Sequence, residues 1–133
     1  MANPTPNPAP GFVKNPAYRV AVLKESRRVR VTIAGIVVAD STDALRLEEA
    51  GHEPVHYLPE KDVRLDLLRP TAHKTHCPYK GDAAYWSLDV GSGDESRSVE
   101  NAVWAYPKPY DEMAQLVGYY AFYRSRVDRI EVG

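Results

Sequence analysis

The 133-residue chain has one cysteine, Cys77, and two methionines. A single thiol cannot close an internal disulfide. The framework is therefore not that of a stapled secreted mini-protein, and the expected compartment is a reducing cytoplasm. No apolar run approaches the roughly 18 residues needed to cross a bilayer, and the N-terminus lacks a signal peptide's apolar region, so no membrane partner is expected. Charge of one sign is not in excess. The formal net charge of −1 gives no general attraction to nucleic acid or acidic membranes. No internal repeat is visible. The remaining composition is that of an ordinary globular protein, 44% apolar and 26% charged. A chain of this size can bury roughly two thirds of its unfolded surface without metal or disulfide staples.

Charge is distributed unevenly along that composition. Residues 1–28 hold five Lys/Arg and one Glu, whereas residues 40–62 hold seven acidic and two basic side chains. Residues 87–112 are again acidic. Between the two acidic stretches lies the basic "RPTAHKTHCPYKGDAAYW", Arg69 to Trp86. A basic island of this kind suits a small anionic ligand, or simply pairs with its acidic flanks.

The leader "MANPTPNPAPGFVKNP" has five prolines in sixteen residues and little to bury. It reads as a disordered or polyproline-like tail over residues 1–16, followed by one domain over 17–133. From Val29 the texture alternates with period two. Val29, Val31 and Ile33 are followed by Ala34-Gly35 and then Ile36 and Val38, which predicts a hairpin. Leu45, Leu47, Val55 and Tyr57 predict a second hairpin, with a short helix over Asp43–Ala50 as the rival. "DVRLDLL" alternates and stops at Pro70. "AYWSLDV" and "AVWAYP" are aromatic-rich strands joined by a polar loop. "PYDEMAQLVG" predicts a helix near residues 110–117, with Asp111 and Glu112 in its first turn, Met113, Leu116 and Val117 as its apolar stripe, and Gly118 as its C-cap. "YYAFY" and "RIEV" close the chain as strands. The fold class is mostly β, α+β at the margin: one small antiparallel domain, a barrel or folded sheet.

Chemistry concentrates in the basic island. His73, His76 and Cys77 carry metal-ligand atoms, but the spacing H-x-x-H-C lacks the second ligand pair of a structural zinc site. His52 and His56, four apart in the second hairpin, would share one strand face. No metal and no cofactor are expected. Cys77, flanked by Pro78 and Lys80, is a candidate nucleophile with His73 or His76 as its base, or a packed thiol. Arg69, Lys74 and Lys80 offer cations, Thr71 and Thr75 offer hydroxyls, and Gly81 permits close backbone approach to an anion.

The ordered motifs "VADS", "YLPEKDVRLDLL", "THCPYKGDAAYWSL", "ENAVWAYPKPYDEM" and "GYYAFY" resemble domain-of-unknown-function family 427, found in bacteria and fungi, over about residues 28–132. The label of nucleotidyltransferase sometimes attached to that family finds no support in these residues, because no Gly-Ser pair precedes spaced carboxylates that would hold two metals. The resemblance implies a β-rich domain like the β-tent folds, some of which bind zinc, although the paired Cys-x-x-Cys motifs are missing. Its recurring positions fall on Asp62, Arg64, Thr75, Cys77, Lys80, Gly81, Tyr85, Trp104, Tyr106 and Tyr123. The expected function is binding of a small anionic or polar metabolite in an aromatic, cation-lined pocket. That pocket is assigned to Arg64, Thr75, Lys80, Gly81, Tyr85, Trp104 and Tyr106. The alternatives are a transferase- or hydrolase-type enzyme using Cys77 or a nearby His, and a protein-interaction scaffold without ligand.

Overall fold

Residues 5–133 are described by a computed structural model. The chain forms a short helix α1 (Pro10–Lys14) and ten strands: β1 (Val20–Lys24), β2 (Val29–Ile33), β3 (Ile36–Ser41), β4 (Leu45–Glu49), β5 (Val55–Pro59), β6 (Leu68–Cys77), β7 (Gly81–Val90), β8 (Arg97–Ala105), β9 (Tyr119–Phe122) and β10 (Arg129–Val132). Seven of them make one antiparallel sheet in the order β1-β4-β5-β9-β8-β7-β6, and three make a second in the order β10-β2-β3. The architecture is mostly β, as expected, and takes the form of two sheets rather than a closed barrel.

The first hairpin forms where alternation and turn chemistry agree. Ala34 and Gly35 both take positive φ, 51° and 74°, the geometry that follows the natural twist of paired strands. Alanine is unfavourable there, and its N–H is held by Asp128 Oδ2 at 2.7 Å. The second hairpin pairs β4 with β5, so the rival helix is not formed. The segment at 110–117 is helical but is a 3-10 turn over Asp111–Leu116, broken at Met113. Met113 and Leu116 are buried as the stripe predicts, while Val117 is exposed.

Two sequence expectations change. "DVRLDLL" folds as 3-10 turns at Glu60–Asp62 and Leu65–Leu67, and the strand begins at Leu68 and runs through Pro70. The reason is position. β6 is an edge strand, where a missing N–H costs no ladder bond, and its register shifts between Pro70 and Lys74. The leader is not a free tail over residues 5–16; Met1–Pro4 lie outside the described residues. Ala9 is fully buried, the Gly11 N–H donates to Pro78 O, and the N–H groups of Asn7 and Ala9 donate to the Asp111 and Glu112 carboxylates.

The large sheet is apolar on both faces. One packs against the small sheet through Val29, Val31, Ile33, Val38, Leu58, Leu88 and Val103. The other gathers Leu47, Tyr57, Tyr85, Tyr106, Met113 and Leu116, with Phe12 of α1 against it. Alternation decides which side chain goes where: Tyr85 points to the second face and Trp86 to the first.

Candidate functional site

Strand pairing brings most of the expected binding residues together. Tyr85 of β7 lies directly opposite Trp104 of β8, and Thr75 of β6 opposite Ala83. Thr75 Oγ1 and the Tyr85 hydroxyl share a 2.8 Å hydrogen bond, and the Tyr85 and Tyr123 hydroxyls lie 3.3 Å apart. The Trp104 and Tyr123 rings meet at 4.4 Å, and Trp104 Nε1–H donates to the Tyr57 hydroxyl at 3.3 Å. Burial pushes the hydroxyls of Tyr57 and Tyr106 well above the ordinary tyrosine range and that of Tyr123 up to about 12. These three phenols therefore stay neutral at physiological pH.

Lys80 belongs to the same face but is not an open cation. It is 8% exposed, and its Nζ lies 2.6 Å from Glu49 Oε1. The Tyr18 hydroxyl donates to the other Glu49 oxygen at 2.5 Å, and that bond pushes the Tyr18 hydroxyl up to about 12. Burial pushes the Glu49 carboxyl upward, but the hydrogen bonds from Lys80 and Tyr18 outweigh it, so the net shift is downward. Gly81 has φ of 122°, and a Cβ there would meet Lys108 O at 3.2 Å, so the position needs glycine.

The remaining expected residues are dispersed. Arg64 pairs with Asp66 at 2.8 Å, and its N–H donates to Val38 O on the small sheet. Of the catalytic candidates, Cys77 has its Sγ 3.9 Å from Lys80 Nζ. His73 packs edge-on to Tyr85 at 4.5 Å, and His76 bonds Asp82 through Nδ1 and the Tyr110 hydroxyl through Nε2. Neither histidine serves as an observed partner for the thiol. Among the described residues no three His, Cys, Asp or Glu side chains gather as a metal site would require.

A cleft that no sequence pattern announces lies at one end of the interface between the sheets. Its volume is about 370 Å³, and its walls are Val31 and Ile130 of the small sheet with Val55, Leu58, Trp104 and Phe122 of the large one. Tyr123 and Pro54 complete the apolar lining, and Glu53, His56 and Arg124 supply polar groups. Of the expected binding residues only Trp104 lines this cleft. His56 is anchored from behind, its Nε2 2.8 Å from Glu25 Oε1. Glu25 is 2% exposed and also receives bonds from Arg27 and Arg46. One signal for this hub was present: Glu25 is the sole acid among the five bases of residues 1–28.

The model of the family described as a domain of unknown function, DUF427, matches residues 21–133. The chain belongs to DUF427. No curated protein matches it significantly. The DUF427 region contains the cleft, the Glu25 hub and the tyrosine face. The Tyr18 hydroxyl on Glu49 and the docked α1 come from residues before it.

Proposed function

We propose that this DUF427 chain is a small-molecule-binding domain whose ligand occupies the cleft between the sheets. The cleft itself carries the reading. A cavity of about 370 Å³ with mostly apolar walls and a few convergent polar groups is the usual form of a ligand site. A flat, apolar part of the ligand would lie against Trp104 and Phe122, and an anionic or polar group would face Arg124. Thr75, Lys80, Gly81, Tyr85 and Tyr106 then act indirectly, by fixing the sheet and the Tyr123 ring behind the ligand. Arg64 has no part in this site. A cytoplasmic, reducing setting suits a chain with one free thiol.

The enzyme alternative on Cys77 draws less support, since His73 and His76 are engaged with Tyr85, Asp82 and Tyr110. A thermal-shift screen of metabolites tests the main reading. Carboxylates or phosphates carrying a flat apolar part should stabilise the protein by about 2.7 kcal/mol at 100 times their dissociation constant. Trp104→Ala and Arg124→Ala should each remove most of the shift. If no such compound binds, or if both variants bind normally, the scaffold reading replaces this one.

A further inference from the structure

His56 lines the cleft in a way no other histidine does. It lies on β5 opposite Arg46, and its side chain is 10% exposed. Behind it, the Glu25 carboxylate accepts hydrogen bonds from the Arg27 backbone N–H, from Arg27 Nε and Nη2, and from Arg46 Nη1. The Arg27 bonds hold that carboxyl well below the usual range against the opposing effect of burial. An ionised carboxylate can only accept, so the hydrogen on His56 Nε2 must point at it. In the neutral ring the lone pair is thereby fixed on Nδ1. Among the described residues Nδ1 has no hydrogen-bond partner, and no fully buried side-chain nitrogen or oxygen is left unpaired. Nδ1 therefore keeps some accessible surface, and the cleft is a space that the His56 side chain lines.

We propose that His56 is the base of this cleft, and that its Nδ1 takes the proton of an acidic hydroxyl, a phenol or enol, on an aromatic ligand. The inference rests on the small-ligand reading of the cleft. In the step, the ligand O–H bond breaks and an N–H bond forms on Nδ1, while the electron pair stays on the ligand oxygen. The imidazolium has Glu25 as its counter-ion, and Arg124 is the cation available to the new oxyanion. The charged and titratable groups around the ring are Glu25, Arg27 and Arg46 behind it, and Glu53, Tyr123 and Arg124 in the cleft. This arrangement meets the requirement for a general base, a group held by a third residue with its free nitrogen open to the proton it takes.

The test uses 4-nitrophenol, whose anion is coloured and whose neutral form is not. The full-length protein is titrated in near-neutral buffer, where solvent acid does not occupy Nδ1 before the phenol arrives. The anion band of free phenol at the same pH is subtracted, and binding is followed separately by Trp fluorescence. Bound phenol should show the anion band. His56→Gln should still bind but lose that band, and Glu25→Gln should weaken it, with folding of both checked by circular dichroism. On the wild-type protein, nitrogen NMR gives a measurement independent of any variant: the His56 Nδ1 resonance should move to the protonated position on adding the phenol. Binding without the anion band, a band retained in His56→Gln, or an unmoved Nδ1 resonance would each overturn the inference and leave the cleft reading standing. If the wild-type protein binds no 4-nitrophenol, or if Trp104→Ala binds it as well as wild type, the cleft reading falls and the inference falls with it.

Discussion

The two faces of the seven-stranded sheet bury similar elements with different chemistry. The face toward the small sheet is largely aliphatic, with Leu58, Leu88 and Val103 nearly inaccessible beneath Val29 and Val31 of the small sheet. The other face is built around Tyr57, Tyr85 and Tyr106 and is bordered by the Lys80–Glu49 ion pair. An aliphatic core needs only shape and area. A phenol-rich core must also give each hydroxyl a partner or a route to water, so it is fixed by specific bonds as well as by packing. The cleft opens at the border between these regimes, where Trp104 and Tyr123 of the second face meet Leu58 and Phe122 of the first.

The largest effect should come from breaking the ion pair. Lys80→Met leaves the Glu49 carboxylate poorly accessible with only Tyr18 bonded to it, and the expected loss is about 3–5 kcal/mol. Lys80→Met combined with Glu49→Leu should recover most of that loss in urea unfolding. The sign of the pH dependence sharpens the test. In the wild type, Glu49 is shifted below its ordinary 4.5, so its contribution is present above that pH and is lost as pH falls through the folded value. In Lys80→Met the unpaired carboxyl is pushed upward, so acid relieves it. The gap between variant and wild type should therefore narrow as pH falls, first above 4.5, through the variant's raised folded value, and then below 4.5 as the wild type loses its own contribution. A gap that is constant with pH would mean that Lys80 acts through packing alone.

Leu88→Ala probes the aliphatic face. Leu88 is fully buried, and a cavity there should cost about 3 kcal/mol. The Trp104 indole N–H resonance should move little if the two faces are energetically separate, whereas Trp86, which packs against the cluster that holds Leu88, should respond. A large change at Trp104 would show that they act as one core.

Much of this was readable from the sequence, and what was not has a common cause. The hairpin around Ala34-Gly35 was legible because alternation and turn chemistry point the same way, and the opposite facing of Tyr85 and Trp86 follows from the pleat alone. Pro70 misled because local sequence does not say that a strand lies at an edge. The leader misled because its partners Asp111 and Glu112 lie more than a hundred residues away. The Glu25–His56 contact spans 31 positions with no local signature. Lys80 looked like an open cation because Glu49, also 31 residues distant, was not visible as its mate.

A smaller effect should come from α1. A Cβ on Gly11 would meet the Tyr79 ring at 2.7 Å and Pro78 O at 2.9 Å, and the carbonyl cannot swing aside as a side chain can. Gly11→Ala should cost roughly 1–2 kcal/mol, near the low end for overpacking, because the arm can lift away. Cleavage after Lys14 by trypsin should accelerate while the rest of the chain stays resistant. Global unfolding without that selective cleavage would mean that the arm is integral to the second face and not a cover laid upon it.

The smallest effect tests whether hydroxyl bonding on that face matters beyond packing. Tyr85→Phe keeps the ring, its packing and its 8° parallel arrangement with Tyr123, and removes only the oxygen between Thr75 and Tyr123. Net hydrogen bonds contribute about 1 kcal/mol each, and Thr75 lies on an edge strand where water can replace the lost partner. The expected loss is therefore about 1 kcal/mol. The Tyr123 ring forms part of the cleft wall, so losing its bond to Tyr85 should loosen it and weaken binding of an aromatic anion more than it weakens folding. Measuring unfolding free energy and 4-nitrophenol affinity on the same variant separates the two. If stability falls and affinity does not, the tyrosine chain is a structural brace confined to its own face.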